Sequence, residues 1–262
     1  MSKHKVELAV AKLAKMIIDA EQVVVLTGAG ISTESGIPDF RSPGGVWDKW
    51  APEIYGNIES FLKDPKKFWE MAQKIAPNIF KAKPNPAHYA LAELEKMDLI
   101  KAIITQNVDG LHQKAGSIVV YEIHGNIERF ICFTCSASYP KGQVIRKLKK
   151  EKHYPPICDI CSAPLKPSAV LFGEPPPKFE YYQSHSLAEK TNLMIVAGSS
   201  LEVAPVNQLP VITLKNGGKF VILNDQPTYM DDRADLVIIG KLGTILPLIL
   251  AKIKELLNIK SD

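Results

Sequence analysis

Cys132, Cys135, Cys158 and Cys161 are the only cysteines in the chain. They form two Cys-x-x-Cys pairs separated by residues 136–157. Each pair can offer two thiolates to one ion from a tight turn, and four thiolates complete a tetrahedral zinc site. Such a site keeps no open position for water or substrate, so the metal is expected to hold structure and take no part in chemistry. Two disulfides are the competing reading, disfavoured in a reducing compartment. A second group of residues suits chemistry on a bound ligand. Thr27-Gly-Ala-Gly-Ile-Ser32 follows an apolar run, and glycines at such a turn let backbone N–H groups approach a pyrophosphate. Thr33 takes the place of the third glycine of G-x-G-x-x-G, so the dehydrogenase fingerprint is incomplete. Gly36-Ile-Pro-Asp-Phe-Arg-Ser42 is a stiff loop, which by composition alone reads as a surface turn with a local Asp39–Arg41 ion pair. Gln106, Asn107 and Asp109 close a second apolar run, and His124 closes a third.

Six histidines compete for the role of base. His4 is terminal, His88 and His185 sit in helical stretches, and His153 lies among the cysteines. His112, three residues after Asp109 on an expected helix, is the serious rival. His124 is preferred because a strand end followed by Gly125 exposes its ring. An imidazole of pKa near 6.5 suits general-base work at neutral pH.

These clusters need a scaffold that brings them together. Val23–Leu26, Ala102–Ile104, Val119–Ile123, Leu193–Val196, Phe220–Leu223 and Leu236–Ile239 are short apolar runs with little polar alternation, as expected of parallel strands buried on both faces. Helical patterns separate many of them. Val6, Val10, Leu13 and Ile17 form one stripe. Asn85-Pro86 is a cap followed by proline at the first helical position, with Leu91, Leu94 and Met97 on the buried side. Residues 244–259 close the chain with another helix, and residues 175–177 read as a loop. The alternation predicts an α/β fold with a doubly wound, mostly parallel Rossmann-like sheet, whose ligands bind beyond the carboxyl ends of the strands. Two stretches interrupt it. Residues 44–82, with Trp47, Trp50, Phe61, Phe68 and Trp69, are expected to form a helical lid. Residues 129–166 form the zinc-binding insert, with a helix over 144–152. Residues 1–43, 83–128 and 167–262 then make the large domain, and the two insertions the small one.

Composition agrees with a globular protein: 46% hydrophobic and 23% charged residues exclude disorder, collagen and coiled coil. The excess of 32 cationic over 28 acidic side chains, +4, does not argue for a nucleic-acid binder. No apolar run approaches the roughly 20 residues needed to cross a bilayer, and residues 1–16 lack a signal-peptide core. The expectation is a cytoplasmic protein.

GAGIS at 28–32, GIPDFRS at 36–42, TQNVDGLH at 105–112, HG at 124–125, FGE at 172–174, GSSLEVAP at 198–205 and the paired CxxC resemble the sirtuin family, in that family's order, from about residue 20 to 245. The resemblance, to the compact prokaryotic type, implies an NAD-dependent protein-lysine deacetylase that consumes NAD as co-substrate. Its products are nicotinamide, O-acetyl-ADP-ribose and free lysine. It implies cofactor contacts from Gly28, Ala29, Gly30, Thr33, Phe40 and Arg41 on the pyrophosphate and ribose side. Ile37, Asp39, Gln106, Asn107, Val108 and Asp109 are implied around the nicotinamide end, and Gly198, Ser199, Ser200, Asn224, Asp225, Lys241 and Leu242 around the adenosine half. His124 matches the family's general base, with Asn107 beside it as the second catalytic residue. Val170, Phe172, Gly173 and Glu174 on one side, and Leu201 and Val203 on the other, match segments that pair with substrate as strands. An apolar tunnel for the lysine stem is expected from Phe40, His124 and Val170. The implied cofactors are NAD and one structural zinc ion; the implied partner is an acetylated protein or peptide, with no membrane and no direct nucleic-acid contact. Residues 43–85 contain no arginine, unlike relatives selective for acidic acyl chains, so acetyl is the expected cargo, with longer neutral acyl groups the alternative.

Three other functions fit parts of the pattern. A nicotinamide oxidoreductase would leave NAD intact and is weakened by Thr33. A protein ADP-ribosyltransferase shares the glycosidic cleavage. A zinc ribbon that binds nucleic acid through residues 146–152 has five cations but no aromatic stacking set.

Overall fold

The computed structural model describes residues 3–151 and 153–259. Helix α1 (Lys3–Asp19) leads into β1 (Val23–Thr27) and a 3₁₀ turn (Ala29–Ser35). Four helices follow: α2 (Val46–Lys49), α3 (Pro52–Tyr55), α4 (Ile58–Lys63) and α5 (Pro65–Lys81). Then come α6 (Pro86–Lys96), β2 (Ala102–Thr105), α7 (Leu111–Ala115) and β3 (Val120–Glu122). The cysteine segment contributes β4 (Arg129–Cys132), β5 (Ser138–Pro140), α8 (Lys141–Glu151) and β6 (Leu165–Pro167). The chain ends through α9 (Lys178–Lys190), β7 (Leu193–Ala197), α10 (Leu209–Lys215), β8 (Lys219–Asn224), β9 (Leu236–Ile239) and α11 (Leu242–Leu256). The expected helix over 144–152 begins three residues earlier, and Lys152 lies outside the described residues.

The main sheet has six parallel strands in the order β3-β2-β1-β7-β8-β9. The inner strands β1, β2 and β7 are buried at every position because both faces are covered. The edge strands β3, which ends in Glu122, and β9 are mostly half-buried, so the expectation of strands buried on both faces holds for the inner ones. Val23 and Val25 of β1, Ile103 of β2, Leu193 and Ile195 of β7 and Val221 of β8 pack with α1, α6 and α11 on one face. Their neighbours Val24, Leu26, Ile104, Met194, Val196 and Ile222 pack with α9 and α10 on the other. The period of two along each strand thus separates two cores. Chain order reverses between β1 and β7, so the crevice beyond their carboxyl ends is the topological switch point, where such sheets bind ligands. Among the described residues no helix is long and apolar enough to cross a membrane.

A third core lies apart from the sheet and joins the two insertions. Phe61, Phe68 and Trp69 from α4 and α5 pack against Phe130, Tyr139, Val144 and Leu165. Trp69 stacks on Phe130 with centroids 5.9 Å apart, and its indole N–H donates to Leu165 O at 2.9 Å. A buried indole needs such a partner, and this one ties the lid to β6. Local signals set the helix starts. Asn57 and Asp64 accept backbone N–H groups of α4 and α5, and Asn85 with His88 forms a reciprocal capping box on α6. The small antiparallel sheet runs β5-β4-β6, with strands of three or four residues.

Candidate active site and metal centre

The turns after β1 and β7 meet back to back. Gly30 N–H donates to Gly198 O at 2.9 Å, and a Cβ on Gly28 or Gly30 would stand 2.7–2.8 Å from Gly198 atoms. Glycine is demanded there by the adjoining turn, a stronger reason than approach to a pyrophosphate. Position 33 faces outward on the 3₁₀ turn, which explains why Thr33 fits where a dinucleotide fingerprint has its third glycine.

These turns open into a cavity of about 1380 Å³. It exceeds the usual range for one small ligand. Every residue expected to touch cofactor or substrate lines it, except Leu201. Leu201 is 2% exposed, packs into the core under the sheet and has φ +60°. Its N–H donates to Ser199 Oγ at 3.2 Å, and its carbonyl accepts from Tyr229 Oη at 2.9 Å. The neighbouring Ser200, Glu202 and Val203 line the cavity instead.

At the end of β2 a buried polar network forms the floor. Gln106 Nε2 donates to Ser199 Oγ at 2.8 Å, linking the β2 and β7 turns. Asn107 Nδ2 donates to Gly28 O at 3.1 Å and Ser32 Oγ at 3.2 Å. Ser32 Oγ–H in turn donates to Asp109 Oδ2 at 2.8 Å, and Asp109 Oδ1 accepts Leu111 N–H at 2.9 Å. Burial raises the Asp109 carboxyl above its ordinary value, against the pull of these donors. Ser32, the last residue of the GAGIS motif, is thus part of the site: its hydroxyl links Asn107 to Asp109.

Asp109→Asn tests this floor. Asp109 accepts from both Ser32 Oγ–H and Leu111 N–H, and an amide at 109 offers one acceptor oxygen for the two, so one buried donor loses its partner. Leaving a buried partner unmatched costs about 1–3 kcal/mol, roughly 5- to 150-fold. The nicotinamide inhibition constant is expected to rise within that range; an unchanged constant removes Asp109 from the nicotinamide contact.

His124 follows β3 and is half-buried. Its Nδ1 lies 3.2 Å from Gln106 O. A carbonyl only accepts, so Nδ1 carries the proton and Nε2 keeps its lone pair. Burial holds the imidazole below 6.5; the Gln106 carbonyl opposes this, and the Arg41 charge adds to it. Gly125 has φ +68°, and a Cβ there would lie 2.2 Å from Ser168 O. The chain from 168 onward therefore crosses directly over His124, and Val170 N–H donates to His124 O at 2.8 Å. His112, the rival, is fully buried beneath the site with Nε2 2.9 Å from Thr27 Oγ1. Desolvation lowers its pKa to about 3.

The 36–42 loop departs from the simple reading of it. Asp39 Oδ1 accepts the backbone N–H groups of Arg41 and Ser42 at 3.1 and 2.8 Å, so it shapes the turn. Arg41 pairs instead with Glu202 across the cavity, Nε to Oε2 at 2.9 Å. Phe40 packs on Trp47, and Trp47 on Phe172, with centroids 5.1 and 5.9 Å apart.

The four cysteine sulfurs lie within 4.8 Å of one another. Cys132–Cys161 and Cys135–Cys158 are 3.4 and 3.5 Å apart, far beyond a disulfide bond of about 2.05 Å. A tetrahedron with Zn–S bonds of about 2.3 Å has edges of roughly 3.8 Å, so the set fits one zinc ion. Cys132–Ala137 and Cys158–Ala163 both read C-x-x-C-S-A. Each folds the same way, with a serine at φ +60° and paired backbone bonds between the first Cys and the Ser-Ala end. This duplicated hexad is a sharper signal than the cysteine spacing alone.

The Sir2 family model matches residues 28–205. The chain is 47% identical to an NAD-dependent protein deacetylase of Sulfolobus acidocaldarius, over 94% of this chain and 95% of that protein. It is 46% identical to one of Saccharolobus solfataricus, over 93% and 97%. Among solved structures, a Sir2 enzyme studied for mechanism and regulation is similar with a TM-score of 0.90 and 42% identity, over 95% of this chain and 99% of that one. A Sir2 structure with a p53 peptide and NAD+ gives a TM-score of 0.85 at 39% identity, over 95% and 98%.

Proposed function

This chain belongs to the Sir2 family, and from that premise we infer its reaction and the residues that carry it out. It is an NAD-dependent protein-lysine deacetylase, taking an acetylated protein or peptide and yielding nicotinamide, O-acetyl-ADP-ribose and free lysine. Bound NAD supplies, on loss of nicotinamide, an electrophilic ribose carbon and the acceptor for the acetyl group. The residues present suit it. The glycine turns after β1 and β7 offer backbone N–H groups beside Thr33 and Arg41 for the pyrophosphate, and Gln106, Asn107, Val108 and Asp109 ring the nicotinamide end with Ile37. Asn224, Asp225, Lys241 and Leu242 border the adenosine end.

The observation that carries the assignment of roles is the fixed tautomer of His124: its Nε2 lone pair is free in the cavity where these loops converge. His124 Nε2 is the proton acceptor, and Asn107, bonded to Gly28 O and Ser32 Oγ, lines the same cavity as the second catalytic residue. Lysine reaches them between Phe40 and Val170. The peptide backbone pairs with open groups on both walls. Gly173 N–H and Val170 C=O on one wall, and Glu202 N–H, Glu202 C=O and Val203 N–H on the other, make no hydrogen bond among the described residues. Such edges accept an added strand. In a division into a large domain (1–43, 83–128 and 167–262) and a small one (44–82 and 129–166), both walls belong to the large domain, and the small one borders the groove through Gly56 and Ile58, which bond to Phe172. A cytoplasmic setting suits four metal-binding thiolates.

Acetyl is the acyl group. Among the described residues the cations lining the cavity are Arg41, Lys149 and Lys241, none of them from the lid, and Arg41 is engaged by Glu202. A panel of acylated peptides, read by mass spectrometry with NAD present, is expected to show acetyl removed faster than succinyl. Faster desuccinylation would overturn the acyl assignment, and a peptide gaining ADP-ribose would overturn the reaction.

A further inference from the structure

Lys166 lies on β6 beside the zinc cluster yet is fully buried, among the largest side chains so enclosed in the described residues. Its ammonium has three protons and meets three acceptors. These are Pro167 O at 3.0 Å, Ala169 O at 2.9 Å and Glu174 Oε2 at 3.1 Å. Glu174 Oε2 also accepts Leu171 N–H at 2.8 Å. Side chains 1% and 12% exposed thus bind both ends of one arc, residues 167–174. That arc crosses Gly125, bonds to His124 O through Val170 and to the lid through Phe172, whose N–H and C=O pair with Gly56 O and Ile58 N–H. Gly173, at φ +88°, keeps its N–H free.

Burying two opposite charges is a weak source of stability, since desolvation offsets most of their attraction. Their geometry is the informative part. One ammonium holds two carbonyls of the arc on the same side, and the carboxylate it faces fixes the arc's far end. We propose that Lys166 and Glu174 are a positioning pair that sets the 170–174 backbone in register for the substrate strand, coupling the metal-bound small sheet to peptide affinity. The proposal rests on the peptide groove of the preceding section. It changes the part expected of Glu174. Its Oε2 is engaged inside the arc by Lys166 and Leu171 N–H, so its first role is to hold the arc. The exposed carboxylate on the groove is that of Glu202.

The test is steady-state kinetics of the zinc-loaded enzyme with an acetylated peptide, varying peptide and NAD separately. Lys166→Met keeps the length of the side chain and removes its protons. The KM for peptide is expected to rise at least tenfold, while kcat at saturating peptide and the KM for NAD stay within twofold. Lys166→Met combined with Glu174→Leu removes the stranded carboxylate and should recover thermal stability without recovering the peptide KM. A purely structural role predicts that both recover together, and that result overturns the proposal. Should neither variant fold, Glu174→Gln retains shape with a weaker acceptor, and a peptide KM unchanged within twofold overturns it equally. An inactive parent enzyme would count against the deacetylase reading, whereas an active parent with indifferent variants counts against the pair alone.

Discussion

Replacing His124 by alanine is expected to lower kcat for deacetylation by about 10²–10⁴-fold, the usual contribution of a positioned general base. The fold should survive, because the side chain makes one hydrogen bond, to Gln106 O, and is only half-buried. Losing one such bond costs about 1 kcal/mol, a shift of roughly 2–4 °C in thermal midpoint for a chain of this size. Peptide and NAD binding should change far less than turnover. The same assignment fixes the pH dependence of the parent enzyme. The neutral imidazole is the active form. Burial, reinforced by Arg41, holds its pKa below 6.5 despite the Gln106 carbonyl. The reactive form therefore persists to lower pH than for a free histidine, and kcat/KM is lost only as pH falls through a value under 6.5. An acid limb above 6.5, or an alanine variant with near-normal turnover, would move the base elsewhere.

The second large effect concerns the metal. Cys132→Ala should lose zinc and cost most of the small domain's order, read as metal content near zero and aggregation or a strongly lowered thermal midpoint. Apparent zinc affinities of Cys₄-type modules are of order 10–16 kcal/mol, comparable to the whole stability of a domain. The β4-β5-β6 sheet has strands of three or four residues and little else to hold it. Its loss propagates, because β6 carries Lys166 and accepts the Trp69 indole, so the lid loses its anchor as well. A soluble, metal-free variant with full activity would contradict a structural role for the site.

Much of this was legible before folding, and for local reasons. Strands buried on both faces must be apolar, so the runs ending at residues 26, 104, 196 and 223 announced themselves, each one residue short of the strand's end. The Asn85-Pro86 cap and the cysteine pairs carry their geometry in adjacent residues. What stayed hidden depends on contacts distant in sequence. A lysine reads as a surface residue, and nothing near Lys166 shows that an arc of chain will enclose it. Arg41 reads as a partner for Asp39 two residues away, yet Asp39 turns to its own backbone and Glu202 closes the pair across the cavity. Leu201, in the left-handed region where leucine is rare, sits inward although its motif neighbours face the groove. For Arg41 and Leu201 tertiary packing decides the direction of a side chain whose position a motif marks; for Lys166 no motif marks the position at all.

The central claim is that unmasking a lysine consumes one NAD. The direct measurement counts nicotinamide released and free lysine formed from an acetylated peptide, with NAD supplied and with it withheld. Equal amounts of the two products are expected with NAD, and neither without it. Lysine freed at the same rate in the absence of NAD, or without nicotinamide appearing, would contradict it.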